Sequence, residues 1–532
     1  MNVIENIESR IRKFLDGLTD AQRFAFISAL VFGIVAHGFA MFNRLSVHDN
    51  SHCLFDLGAS YEVNRWGLGI LYRLMVYTTK TFSLPVFNIL LSLIFIGIAA
   101  MLIMDMFQVK TRLVAVIIGG MMVVFPMVTS LNSFLFTTWA YFLGLIFAVQ
   151  AARTLTKDYS VKNLVLSIIW LALSLSLYQA FLGVVITLML LMMFVNVLEC
   201  KTTTIGQYAK EGALSIVSLV LGLGVWAVVA KIFRTIKHIQ LDDYKGWTEP
   251  YDISKFPGKL IDAMKNFLTF RMEGINALRY LRMLTLLIFL LTVVLIVVLL
   301  IKSKNNMALK LSSVVGVILI PVAMMIIYVL STSDLYVVST LMIYAEIFVF
   351  IIPLLLIEHV EGLMNTMADK VAQCVAALLI FCTAVVTVGY VYLDNAAYYK
   401  AAIYQEQAVV YMTALIANIK STEGFSDDMD IVFVGFNNVE DATINELANK
   451  EQMDGIQLEK YYNSLEEMIN YGVNIQFMRD HLGVGNDKII IDEENEYAKE
   501  TEIKNMPVYP NEGGIAIVDG RVIVKMGEKY ID

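Results

Sequence analysis

NLVLSIIWLALSLSLYQAFLGVVITLMLLMMFVNVL, residues 163–198, runs for 36 positions without an Asp, Glu, Lys or Arg. As one helix it would measure about 54 Å at 1.5 Å per residue. The hydrocarbon of a bilayer is only ~30 Å thick. The stretch is therefore two membrane helices, 163–178 and 180–198, turning where Tyr178-Gln179 interrupts the apolar run. Outward from it, comparable runs recur at 24–42, 84–106, 113–131, 134–152, 213–231, 281–301, 309–330, 340–357 and 371–392. The chain thus reads as mostly α, a polytopic transmembrane bundle of about eleven spans. Composition agrees: 58% of its 532 residues are hydrophobic and 17% charged, where soluble domains average about a quarter charged.

The loops orient the bundle. One set carries Lys110 and Arg112; Arg153, Lys157 and Lys162; Lys201 and Lys210; Lys302, Lys304 and Lys310; and Lys370. The alternate short loops, 130–133, 178–180 and 331–339, carry no Lys or Arg. The positive-inside rule then puts the N-terminus in the cytoplasm and the C-terminal region outside. Three parts follow: a cytoplasmic amphipathic segment 1–23, a membrane domain 24–392 with outer loops 43–83 and 232–280, and an extracytoplasmic domain 393–532. That last part holds 11 Lys+Arg against 26 Asp+Glu, an acidic balance that argues against a nucleic-acid partner. It opens on a helical, Tyr-rich stretch, 394–420. Short strands follow, with Asp519-Gly520 as a type I′ turn between β-branched runs, so a small α/β domain is expected. The four cysteines, Cys53, Cys200, Cys374 and Cys382, have neither a disulfide framework nor zinc spacing. No Gly-rich phosphate loop precedes a helix.

The first outer loop concentrates chemistry just past a span: His48, Asp49, His52, Asp56, Glu62, Arg65 and Trp66. Charge held at a membrane interface is costly and points to a purpose. A carboxylate there suits a general base acting on a hydroxyl. A guanidinium suits a departing phosphate, which it meets with two parallel N–H bonds. The bland alternative is a solvated loop in which Asp49 caps a helix. His48 and His52, four apart beside Asp49, have divalent-metal spacing, yet an interfacial hydrogen-bonded pair explains them as well. Trp66 either stacks on a sugar or belongs to the aromatic belt. Tyr178 and Gln179 either satisfy backbone freed at the turn or contact a substrate. In 232–280, Trp247 lies among Asp242, Asp243, Tyr244, Glu249 and Tyr251, a mixture of rings and acids that suits carbohydrate. Arg271, Arg279 and Arg282 lead into the eighth span and would meet a donor phosphate or lipid headgroups.

Four segments together resemble the bacterial glucosyl transferase type II family, whose members decorate surface polysaccharides. They are Asp49 with Asn64-Arg65-Trp66-Gly67-Leu68-Gly69; Ser174-Leu-Ser-Leu-Tyr-Gln-Ala180; Asp394-Asn-Ala-Ala-Tyr-Tyr-Lys400; and Met506-Pro-Val-Tyr-Pro510 with the run ending at Lys525. The resemblance spans essentially the whole chain. It departs at Asn64, where the family usually has Gly. It implies a GT-C architecture, a polyprenyl-phosphate sugar donor, no cofactor and no metal. It also implies an essential acid in the first outer loop, a place matched by Asp49 with Asp56 as the alternative.

The expected activity is transfer of a hexose, glucose by the family's name, to a cell-surface polysaccharide such as O-antigen or a wall glycan. Transfer would take place outside the cytoplasmic membrane, in one inverting displacement. Asp49 would take the acceptor proton, and Arg65 with Arg279 or Arg282 would receive the phosphate. His48, Trp66, Tyr178, Gln179 and Trp247 would hold substrate. A donor synthase and a flippase would be functional partners. A polysaccharide flippase or transporter, or an O-antigen-type polymerase, is the rival. The spans read as almost charge-free, which favours the enzyme.

Overall fold

Along the first long apolar helix, Ala21, Ala25, Ala29, Gly33, Ala36 and Ala40 form one buried stripe of small side chains. Small residues at about every fourth position let helix backbones approach closely, and dispersion does the work that hydrophobicity does in water. The computed structural model describes residues 3–45, 60–78, 83–242, 252–269, 278–331, 340–360, 366–435, 483, 488–492 and 495–528. It begins with α1 (Val3–Asp16) and α2 (Asp20–Phe42), then α3 (Trp66–Thr78) and α4 (Pro85–Met106). Next come α5 (Arg112–Val124), α6 (Pro126–Asn132), α7 (Leu135–Thr156) and α8 (Val161–Leu177). A 3-10 turn, Gln179–Phe181, leads into α9 (Leu182–Leu198), followed by α10 (Ile205–Lys237) and α11 (Phe256–Thr269). The series closes with α12 (Arg279–Lys302), α13 (Met307–Met324), α14 (Ile326–Leu330), α15 (Phe348–Ile357) and α16 (Met367–Ser421).

Among the described residues nine helices are long and apolar enough to cross a membrane, and two shorter apolar ones, Val161–Leu177 and Tyr344–Ile357, accompany them. The chain is a multi-pass helical membrane protein with a small sheet near its C-terminus. It divides into two compact units, the described residues of 1–42 with 57–395 and those of 43–56 with 396–532. The turn expected near Tyr178 is present, with α8 ending at Leu177. The last apolar run and the tyrosine-rich stretch after it form one helix, α16, that runs on from the first unit into the second.

In the first unit α2 packs on α4 and α5. The approach is closest at Gly119, where a Cβ would lie 2.2 Å from the Ala25 carbonyl oxygen. Pro126 interrupts the third crossing. It has no N–H for the Met122 carbonyl, and Tyr344 donates its hydroxyl there at 2.7 Å. His37 makes the corresponding bond to the Val123 carbonyl, Nε2 to O at 2.8 Å. In hydrocarbon every freed backbone group needs such a substitute.

One end of this bundle is cross-tied between loops. Arg112 pairs with Asp20, Arg153 Nη2 lies 2.5 Å from Asp105, and Lys302 meets the nearly buried Asp369. Glu358 accepts the Lys110 and Thr111 amides at 3.2 and 3.1 Å. These are the basic loops of the sequence. The exposed Arg112–Asp20 pair adds at most about 1 kcal/mol. The tie through Glu358 joins segments nearly 250 residues apart.

The second unit carries a four-stranded sheet, β1 (Ile431–Val434), β2 (Ile489–Ile491), β3 (Ile515–Val518) and β4 (Arg521–Lys525), in the order β2-β1-β4-β3. β1 is parallel to β2 and β4, while β3 and β4 form the expected hairpin. Its turn residues Asp519 and Gly520 have φ of 46° and 74°, as a type I′ turn requires. Val432, Val434, Ile503, Val518 and Ile523 pack beneath it.

The tight crossing at Gly119 gives a test. Gly119→Val should cost about 2–3 kcal/mol by overpacking and visibly lower the unfolding temperature in detergent. Gly38→Ala, where a Cβ meets nothing within 4 Å, should not. Equal unfolding temperatures would contradict this packing.

Candidate functional site

The opposite end of the first unit holds a pocket of about 460 Å³, open mouth included, lined by Val63, Asn64, Arg65, Tyr178, Gln179, Asp242, Ile327 and Met342 among others. Its floor is a turn. Asn64 takes φ +62°, a left-handed conformation that only Gly, and after it Asn or Asp, adopts cheaply. The residue that departs from the family's usual Gly therefore keeps the backbone that Gly permits. The Arg65 amide closes the turn on the Ser60 carbonyl at 2.7 Å, and Ser60 N donates to Glu62 Oε2 at 2.9 Å.

Helix α3 then starts at Trp66, and its glycines allow two close approaches. A Cβ on Gly67 would lie 2.2 Å from Ser176 Oγ on α8, and one on Gly69 would lie 2.4 Å from the Tyr61 ring. Tyr61 is buried, Lys237 Nζ sits 4.4 Å above its ring, and burial pushes its hydroxyl pKa up. Trp66 stacks on Phe233 of α10 with centroids 6.0 Å apart.

Arg65 is the centre of the site. Its Nε donates to Gln179 Oε1 at 3.2 Å and its Nη1 to the Tyr141 hydroxyl at 2.9 Å. The guanidinium carbon lies 5.4 Å from the centroids of both Tyr141 and Tyr178, whose rings stack at 4.3 Å. Gln179 also donates its Nε2 to the Val63 carbonyl at 2.9 Å, and Tyr178 its hydroxyl to the Leu341 carbonyl at 2.7 Å. Trp226 Nε1 donates to the Asn64 carbonyl at 3.1 Å, and the Asp242 amide to the Glu62 carbonyl at 3.0 Å. Tyr141 and the Tyr178-Gln179 turn thus hold the cation beside their stacked rings, while Trp226 and Asp242 secure the turn that carries it. A guanidinium so fixed gives up little rotamer freedom when it meets an anion.

Arg65, Tyr178 and Gln179, chosen from sequence on separate grounds, come together here. Trp66 adjoins them with its face on Phe233. Arg279 and Arg282 stand exposed on the first turn of α12 and are not among the lining residues. His48, Asp49, His52, Asp56, Trp247 and Arg271 lie outside the described residues. Sequence reasoning missed Tyr141 and Trp226, which look like ordinary span aromatics until the fold brings them beside Arg65 and Asn64. Asp242 was read only as part of an outer loop. Among the described residues it is the one carboxylate in the lining.

The interior of the first unit holds more ionisable side chains than the sequence suggested. Glu346, at 2% exposure, and Asp394, at 0%, are buried in the first unit. Asp394, read as the first acid of the C-terminal stretch, accepts the Thr129 hydroxyl at 2.5 Å. Paucity of charge in the spans therefore does not separate an enzyme from a transporter here.

Beyond the Arg65 pocket lies an apolar cavity of about 890 Å³, lined by Leu191, Phe194, Phe289, Pro321, Met324 and Phe348 among others. Met324 precedes Ile327 of the Arg65 pocket by three residues.

In comparisons with known proteins, the family described as Glucosyl transferase GtrII matches residues 38–350, which include the Asn64–Arg65 turn, Tyr141, Tyr178, Gln179 and the lining of the Arg65 pocket. No curated protein and no solved structure matches the chain.

The turn beneath Arg65 is testable by itself. Asn64→Gly should leave stability within about 0.5 kcal/mol of the parent. Asn64→Val should cost roughly 1–2 kcal/mol, the penalty of a left-handed residue with a Cβ, read from the thermal unfolding of purified protein. Equal stability of the two variants would mean that residue 64 is not left-handed.

Proposed function

The chain belongs to the glucosyl transferase GtrII family, and from that premise we propose that it transfers glucose from a polyprenyl-phosphate donor to a surface polysaccharide on the outer face of a bacterial cytoplasmic membrane. The single observation that carries this reading is Arg65, fixed by Tyr141 and Gln179 beside the stacked Tyr141–Tyr178 pair, in an open pocket three residues along the chain from the wall of an apolar cavity. A lipid-linked sugar phosphate has both characters: an anion that needs a fixed cation and an isoprenoid that needs an apolar slot. The phosphate meets the Arg65 guanidinium, and the isoprenoid lies along Met324 and Phe348.

In the reaction the acceptor hydroxyl attacks the anomeric carbon. The new bond from oxygen to the anomeric carbon forms as the bond to the phosphate oxygen breaks, with inversion. The bonding pair leaves on the phosphate, where Arg65 stabilises the growing charge. The acceptor proton passes to a carboxylate, Asp49 in this account, with Asp56 as the neighbouring alternative. Asp242 faces the same pocket and holds acceptor hydroxyls with Trp247. His48, Trp66 and Gln179 border the sugar, and Arg279 and Arg282 draw the donor headgroup in from the membrane. The fold is of GT-C type, the N-terminus is cytoplasmic, and residues 393–532 form the outer domain. A donor synthase and a flippase supply the substrate.

The alternative of a transporter or flippase predicts sugar-lipid movement with no new glycosidic bond. Purified protein, polyprenyl-phosphate glucose and an acceptor glycan decide between them. The account expects glucose on the glycan, a loss of about 10²–10⁴-fold in Asp49→Asn, and a loss of about 10²–10³-fold in kcat for Arg65→Ala. Arg65→Lys should recover little, because an ammonium does not present the guanidinium's paired donors. Full transfer by Asp49→Asn with loss in Asp56→Asn or Asp242→Asn would move the base to that residue. Transfer untouched by Arg65→Ala would remove the phosphate role.

A further inference from the structure

At the cross-tied end of the bundle, where α4, α7 and α9 finish and α10 begins, lies a third cavity. It holds about 1360 Å³, open mouth included, and is lined by polar and charged side chains. Nothing in the transfer reaction uses it.

Its acids already have partners. Asp105 accepts Arg153 Nε at 2.6 Å. Asp158 accepts the Ser160 amide at 2.9 Å and Asn163 Nδ2 at 2.8 Å, and the Ser160 hydroxyl first, with these bonds, holds its carboxyl below the usual range. Glu211, at 5% exposure, accepts the Thr202 hydroxyl at 2.8 and 3.0 Å and Gln207 Nε2 at 3.1 Å. The donors do not. Lys157 and Lys210 line the cavity and make no hydrogen bond or ion pair with any described residue. Asn196 also lines it. That side chain is 6% exposed, and its amide likewise makes no hydrogen bond among the described residues.

With the acids, Arg153 and Lys201 paired, Lys157, Lys210 and the Asn196 amide are the donors left to a ligand, and they select an anion with several acceptor oxygens. We infer that this cavity is a binding site for a phosphate ester, held by Lys157, Lys210 and the Asn196 amide. Its volume exceeds a bare phosphate and accommodates the ester's headgroup. The ester comes either from a lipid in the adjoining leaflet or from a soluble sugar phosphate. The chemistry is common to both, and the site stands independently of the transferase reading at the other end.

The test uses the full chain in phosphatidylcholine nanodiscs. Native mass spectrometry measures retention of doped phosphatidic acid, and a separate titration measures binding of glucose 6-phosphate in discs without it. The Lys157→Gln, Lys210→Gln double variant should lose binding about tenfold or more, and Asn196→Ala several-fold. Lys304→Gln, on the same end but outside the cavity, should lose none. The Lys157→Arg, Lys210→Arg variant keeps both charges and should retain binding, so a fold damaged by Gln is distinguished from a lost contact. Variant-sensitive retention of the lipid alone assigns a headgroup, and variant-sensitive binding of the sugar phosphate alone assigns a soluble ligand. Binding of both probes that none of these variants alters, or binding of neither by the parent protein, overturns the site.

Discussion

Hydrocarbon offers no water to an unpaired backbone group, and this constraint shapes the first unit wherever a helix breaks. At Phe125-Pro126 the debt is met by Tyr344 and His37. At Tyr178 the helix stops, and the two polar side chains there reach across to the Leu341 and Val63 carbonyls. The Asn64 carbonyl, in a turn that cannot be helical, is taken by Trp226. Each repair links chain segments far apart in sequence. The pocket is where two of these repairs converge, and Arg65 is the residue caught between them.

The two ends of the bundle differ in kind. Short ion pairs and Glu358 tie the basic loops to one another, so the helices are registered there. The pocket end is built from turns and ring stacking around Arg65. The cation there is held rigidly by its neighbours. In the proposed transfer, preorganisation of this sort raises the rate because the cation need not reorganise as charge develops on the leaving group.

Much of this was legible in the sequence. Uncharged runs marked the crossings, because length and apolarity alone set them. Asp519-Gly520 marked the hairpin, because only a few residues tolerate its backbone. Arg65, Tyr178 and Gln179 stood out as polar groups beside spans, though nothing in their spacing joined 65 to 179. Tyr141 and Trp226 were hidden because a tyrosine or tryptophan in a span is ordinary until its neighbour is known. β2 was missed because three isoleucines after a lysine carry no alternation. Glu346 lay unnoticed in its apolar run, and Asp394 looked like one more acid in an acidic region. Burial of a carboxylate is a property of the fold that surrounds it.

The central claim is that the end carrying Arg65 faces outward, where a lipid-linked sugar can meet its acceptor. Two native cysteines report on it. Cys53 lies in the loop before Arg65, and Cys200 is exposed between α9 and α10, in one of the basic loops at the cross-tied end. With Cys374 and Cys382 changed to Ala, intact cells are treated with a membrane-impermeant maleimide. The account predicts label on Cys53 in intact cells and on Cys200 only after permeabilisation. Label on Cys200 from outside, with Cys53 protected until the membrane is opened, would contradict it.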